Sequence, residues 1–303
     1  MPNGPGASGN NDHASTVRIR RMQFLEISAR RWCRAKLRPV IGVREAQVEV
    51  PPSLARWVAT VSELRDVSER NESFVRLPDA MSSLVICEAA HGVKIVAVGP
   101  IRRAFYKSSA SLDRYTRITF HPGRARLALG AAPHELTGGI VDLGTLWGKS
   151  ARPVFDAVAG ARNSRSQSVV EAVAPVLSRR FENASSIASD VVRRAAFVFE
   201  NADGADFPRV QMIAKRLHVS ERFLRNAFHD EMGVSPKRFA RIARIRRVAV
   251  AATTDATPWA TLATKYGFFD QAHLSAEFRD LLRVTPAAFR AGDIPRSSGC
   301  GAA

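Results

Sequence analysis

Cysteine is scarce in this 303-residue sequence, carboxylates are outnumbered by bases, and long apolar runs are missing. Cys33, Cys87 and Cys300 are too few and too scattered for a disulfide framework, and none sits in the Cys-x-x-Cys spacing of zinc and redox motifs. A reducing, cytoplasmic setting is the expectation. No stretch approaches the roughly 20 apolar residues of a membrane span. Arg20-Arg21-Met22-Gln23-Phe24-Leu25 has the outline of an export signal, but Arg30, Arg31, Arg34 and Lys36 stand where an apolar segment would follow, so neither export nor a membrane partner is expected. Catalytic groupings are equally thin. No Ser, His and Asp set or paired carboxylate stands out, and His91, His121 and His134 lack close metal-binding spacing, so no enzyme, cofactor or metal is expected. Gly144-Thr145-Leu146-Trp147-Gly148-Lys149-Ser150 nearly spells a phosphate-binding loop. It has three residues between its glycines, one a Trp, where convergent backbone amides require four.

What the chain has is positive charge, 45 Lys and Arg against 28 Asp and Glu, for a formal net charge of +17. A polyanion is the first partner to consider, since bound Lys and Arg release counterions from a phosphate backbone; an acidic membrane surface or plain solubility are the alternatives. The length suits two domains. Residues 1–16 are Gly, Pro, Asn and Ser without periodicity and are expected to be disordered. Arg18 to Arg38 is Arg-rich and reads as a solvated extension or as sequence upstream of a start at Met22, with a phosphate-binding arm as the alternative. From residue 46 the texture is mixed α and β, with strand-like Val93-Lys94-Ile95-Val96-Ala97-Val98 and Ile118-Thr119-Phe120. Arg152 to Phe181 is helical, with Val169, Val170, Val173, Val176 and Leu177 at helical spacing. The polar Asn183-Ala184-Ser185-Ser186 is read as the boundary. The expected division is an extension at 1–45, a sensor or dimerisation domain at 46–182, an all-helical domain at 183–292 and a tail at 293–303.

Between Val210 and Ser220, Ile213, Ala214 and Leu217 mark a helix that runs into a tight turn, and Ser220 is a good N-cap for a second helix starting at Glu221. That helix offers Phe223, Leu224, Ala227 and Phe228 to a core and leaves Arg222, Arg225 and Asn226 outward. Ala214 is small because the second helix crosses there. The design recurs from Trp259 to Asp270, with Gly267 suited to a left-handed turn and Asp270 to capping a helix that begins at Gln271. Both units end alike, in Met232-Gly233-Val234-Ser235-Pro236 and Leu282-Arg283-Val284-Thr285-Pro286, with Ser or Thr as N-cap and Pro at the first helical position. Between them, a helix from Pro236 to about Ala252 carries Lys237, Arg238, Arg241, Arg244, Arg246 and Arg247 with no acid, a run that predicts an anion nearby; DNA phosphate is the expected one. Two helix-turn-helix units joined by a basic helix point to DNA binding.

Gly267-Phe268-Phe269-Asp270-Gln271-Ala272-His273-Leu274-Ser275, then Phe278 and Val284-Thr285-Pro286-Ala287-Ala288-Phe289-Arg290, closely resembles the signature of the AraC/XylS family of transcriptional regulators. The resemblance covers about 100 residues. It implies that Arg222, Arg225 and Asn226 of the first unit and Gln271, Ala272, His273, Ser275 and Ala276 of the second read bases in successive major-groove segments, Arg suiting guanine, Asn or Gln adenine, and Ala a thymine methyl. Ser220, Lys237, Arg238, Arg241, Arg244, Arg279 and Arg283 are the expected phosphate contacts. Two departures stand out: His218 and Arg283 occupy turn positions where the family usually has Gly. Ala276 stands where Arg is frequent, so the first unit is expected to discriminate more.

Pro51 to Val58, Leu77-Pro78-Asp79, Gly99-Pro100-Ile101, Phe120-His121-Pro122-Gly123 and the stretch from Leu136 to Gly148 resemble a domain often found before this module. That implies an α+β chain with a β-rich, cupin-like sensor or dimerisation domain first. Trp57 and Trp147 are read as core rather than pocket lining. The partners the resemblance implies are double-stranded promoter DNA, RNA polymerase and a small-molecule effector, with the chain a monomer or homodimer. An NTPase fused to a DNA-binding module and a charge-driven nucleic-acid coat are the rival readings.

Overall fold

The structure, a computed structural model, describes residues 40–41, 45–64, 73–89, 92–108, 114–163, 168–182, 186–202, 204, 207–254 and 256–295. The expected disordered start, the Arg18 to Arg38 segment, Cys33, Cys300, His91 and Asn183 to Ser185 lie outside the described residues.

Strands come first: β1 Val40–Ile41, β2 Ala46–Val48, β3 Val58–Leu64, β4 Ser73–Arg76, β5 Ser83–Ala89, β6 Gly92–Val98, β7 Phe105–Ser108, β8 Arg114–Phe120 and β9 Ile140–Asp142. They form an antiparallel six-stranded sheet ordered β2-β3-β8-β5-β6-β9 and a three-stranded sheet ordered β1-β4-β7. Strand alternation sorts the larger sheet's side chains into two cores. Leu84, Ile86, Ile95, Ala97 and Ile118 face one way, into a cluster with Trp57, Phe120 and Phe181. Val85, Val96, Val98 and Tyr115 face the other way, with Leu64 and Ile101. Because both faces are covered, the strands read as nearly continuous apolar runs.

Helices close the first face. They are α1 Ala125–Leu129, α2 Leu143–Trp147, α3 Arg152–Asn163 and α4 Val169–Phe181. A capping box between Ser168 and Glu171 starts α4. Its Val170, Val173, Leu177 and Phe181 are buried, and the Phe181 ring lies 5.2 Å from Trp57. The glycine-rich Gly144 to Ser150 segment is helix and 3-10 turn rather than an open loop; Asp142 accepts from the Gly144 amide at 2.8 Å. Trp147 is core, donating from Nε1 to the Leu129 carbonyl at 2.8 Å beneath the Arg180 guanidinium.

The second half is helical: α5 Ile187–Asn201, α6 Val210–Arg216, α7 Glu221–Met232, α8 Pro236–Thr254, α9 Trp259–Lys265, α10 Gln271–Leu282 and α11 Pro286–Ala291. Ser186, the last residue of the polar stretch read as a boundary, is the N-cap of α5. One hydrophobic cluster runs through these helices and continues into the β-rich half through Val75, Leu77, Ala80, Met81, Ala104 and Tyr106. Gly123 approaches α5 so closely that a Cβ there would lie 2.6 Å from the Ser189 carbonyl oxygen, and Arg124 pairs with Asp190 at 2.8 Å. No helix among the described residues is long and apolar enough to cross a membrane.

Candidate nucleic-acid interface

The two helix pairs are built by the same local chemistry. In the first, Ser220 accepts from the Phe223 amide at 3.0 Å and starts α7; in the second, Asp270 accepts from the His273 amide at 2.7 Å and starts α10. The turn between the helices closes on a small buried residue each time, with Val219 donating to the Ala214 carbonyl at 3.0 Å and Phe268 to the Ala263 carbonyl at 2.9 Å. A larger side chain at either alanine would push the helices apart. Ser235 caps α8 and Thr285 caps α11.

Each unit needs left-handed backbone at two places, the turn between its helices and the end of its second helix. The first unit puts His218 in the turn (φ 56°) and Gly233 at the helix end (φ 67°), whereas the second puts Gly267 in the turn (φ 72°) and Arg283 at the end (φ 59°). Gly233 is further constrained, because a Cβ would lie 2.7 Å from the His134 nitrogen and 2.8 Å from the Pro133 carbonyl. His218 and Arg283 are exposed.

On α7, Leu224, Ala227 and Phe228 are buried while Arg222, Arg225 and Asn226 are exposed, and Arg225 pairs with Glu221 one turn back. Phe223 departs from the sequence reading: it is 39% exposed rather than core. On α10, Gln271, Ala272 and Ala276 are exposed, and His273 and Ser275 are half-buried. His273 is also held in place, accepting the Phe269 amide at Nδ1 and meeting the Phe268 ring edge-on. Phe269 is 92% exposed just ahead of the α10 cap and was not singled out from the sequence. Its signal was the Phe268-Phe269 pair, since neighbouring side chains diverge and only one can enter the core.

The basic helix α8 is where tertiary structure departs most from the local reading. Its run contains no acid, but α10 brings two. Arg241 donates to Glu277 at 2.8 Å and to Asp280 at 2.6 Å, and Arg238 pairs with Asp280 at 3.4 Å. Burial alone would lower the Arg241 pKa, but these bonds more than offset it and raise it; Asp280 is correspondingly held below the usual carboxylate range. Arg244 lies between the rings of Phe207 and Phe268, at 4.6 and 5.0 Å, and donates to the Gly267 carbonyl at 2.9 Å. Arg246 is buried against Asp79 at 2.7 Å, and Arg247 is buried with a bond to the Ala202 carbonyl. The partners of these arginines are thus protein carboxylates for Arg238, Arg241 and Arg246, and carbonyl oxygens and aromatic rings for Arg244 and Arg247. Ser220, Lys237, Arg279 and Arg283 are exposed.

Two helix pairs, matched cap for cap and packed on one shared buried helix, make the C-terminal region a double helix-turn-helix module of the DNA-binding class. Residues 213–292 match the family model described as a helix-turn-helix domain. The chain is similar to the C-terminal domain of AraT, a response regulator from Geobacillus stearothermophilus, with 23% identity over 36% of this chain and 91% of that one and a TM-score of 0.34. It is similar to an AraC-type regulator from Chromobacterium violaceum, with 22% identity over 34% and 90% and a TM-score of 0.32. It is also similar to ToxT from Vibrio cholerae O395, with 14% identity over 77% and 96% and a TM-score of 0.39. No curated protein matches the chain.

Proposed function

We propose that this chain is a sequence-specific double-stranded DNA-binding transcription regulator of the AraC/XylS type, whose first domain senses a small molecule or mediates dimerisation and alters how the second engages an operator. One observation carries the reading: α7 and α10 are equivalent in the two units, each capped at its start, and each presents polar residues outward from its first turns. Helices so placed suit the major groove. Arg222, Arg225 and Asn226 would read bases in the first unit, with Gln271, Ala272, Ser275 and Ala276 in the second. His273, fixed against Phe268 and Phe269, would orient the start of α10 as well as face the groove. Ser220, Lys237, Arg279 and Arg283 would hold phosphates. Arg238, Arg241 and Arg244, engaged within the protein, would instead set the angle between the two units.

The test is a binding measurement with promoter-derived and random duplexes at about 0.15 M salt, where non-specific charge attraction is reduced but not abolished. Affinity for a cognate duplex about 1,000-fold or more above that for random sequence is expected. Equal affinity for both would leave a charge-driven coat as the function.

A further inference from the structure

His134 stands in the turn between α1 and β9, while His229 and Asp230 stand near the end of α7, 95 residues further along. The fold brings them together across the contact between the two halves. The two imidazoles stack with centroids 4.5 Å apart and planes 28° apart, and His229 Nδ1 lies 3.2 Å from Asp230 Oδ1. One donor atom from each of the three lies within 4.8 Å of the others. The backbone beneath them is fixed. Pro133 and His134 are seated on Gly233 with no room for a Cβ, and their turn is closed by Leu136 donating to Pro133 and Thr137 to His134.

From this geometry we propose that His134, His229 and Asp230 form a divalent transition-metal site that bridges the first domain and the first recognition helix. Two imidazoles and one carboxylate are the donor set of zinc-class ions, whereas magnesium and calcium favour oxygen alone. A tetrahedral ion with bonds of about 2.0–2.1 Å draws its ligand atoms closer than 4.8 Å. His134 and His229 are exposed and Asp230 is half-buried, so side-chain rotation can supply that movement without shifting the backbone. Water completes the coordination. The site also lies at the carbonyl end of α7, where a cation is favoured by the helix dipole. Bound metal would cross-link the turn to the helix that carries Arg222 and Asn226, both on the outward face of α7 that His229 continues.

The experiment is calorimetric titration of the full chain with Zn2+, paired with thermal melts with and without the ion. One Zn2+ per chain and a raised Tm are expected. In His134→Ala and in His229→Ala, affinity for that ion falls by roughly tenfold or more and the Zn2+-dependent rise in Tm disappears. Both residues are exposed, and circular dichroism checks that the variants fold. The proposal is overturned if the wild-type chain takes up no Zn2+. It is also overturned if His134→Ala binds as wild type does, which would place the ion within α7 or elsewhere. None of these readouts involves DNA, so failure here leaves the proposed function standing, and the reverse holds too.

Discussion

Arg222 and Arg283 are both exposed arginines, but their backbones ask different things of them. Arg222 sits in regular helix one residue past the start of α7, free to place a planar fork of donors against a base edge. Arg222→Ala is expected to weaken specific DNA binding by about 1–3 kcal/mol and to relax preference at one base position, as read by competition among single-base operator variants. Arg283 holds left-handed backbone, which costs a non-glycine residue about 1–2 kcal/mol. Arg283→Gly should therefore raise Tm while lowering DNA affinity if the side chain holds phosphate. Gly233→Ala, at the equivalent position of the first unit, should lower Tm, since its Cβ would strike the turn carrying His134. His121 supplies a pH dependence. It is buried, with one ring nitrogen on the Ala55 carbonyl, and burial pushes its pKa from 6.5 down to about 4. Between those values the unfolded chain binds a proton that the folded chain refuses. Stability is therefore undiminished above pH 6.5 and falls as pH drops from 6.5 toward 4, a slope that urea denaturation across pH should show and His121→Gln should lessen.

At the scale of elements, α8 is the part whose meaning changed most between sequence and structure. A one-dimensional reading sees arginines without acids and infers an outside anion. The acids are on α10, 36 to 42 residues away in sequence but within bonding distance of Arg238 and Arg241. Arg241→Met is expected to cost about 1.5–3 kcal/mol in equilibrium unfolding, through lost charge-assisted hydrogen bonds, and to disturb the spacing of the two recognition helices. A loss of DNA affinity with unchanged stability would instead mean that Arg241 serves DNA directly. Where the sequence reading relied on short-range chemistry it matched the elements closely: Ser220, Asp270, Ser235 and Thr285 all cap the helices their positions implied. The basic helix ends at Thr254, close to the Ala252 expected. Phe223 was misread because its helical spacing from Ala227 fits an apolar stripe whose edge happens to face solvent.

Across the whole molecule, the two halves are joined by buried chemistry rather than by a linker alone. Arg246 of α8 and Asp79 of the first half form a 2.7 Å pair with side chains only 6% and 11% exposed, and Arg246 also donates to the Pro78 carbonyl. Around it, Tyr106 donates to the Leu282 carbonyl, Ala104 to the Leu281 carbonyl at 2.7 Å and Arg103 to Asp280 at 2.8 Å. Asp79→Ala would strand a buried guanidinium and is expected to destabilise by about 3–5 kcal/mol, with Asp79→Ala combined with Arg246→Met recovering much of the loss. Urea unfolding of the two variants checks this. Through these contacts a change in β4, β7 or their flanking turns bears directly on α8 and α10.

The sequence by itself determined the helix pairs, their caps, their turns and the β-rich character of the first half, because each rests on residues within a few positions of one another and on the periodicity of helix and strand. Tertiary structure alone decided which arginines face solvent and which are tied down, that the hydrophobic cluster of the helical half takes in Val75, Leu77 and Tyr106 of the β-rich half, and that His134 meets His229. Those outcomes depend on partners dozens of residues away, and a charge or a ring on an isolated helix has no means of specifying what a distant segment will bring beside it.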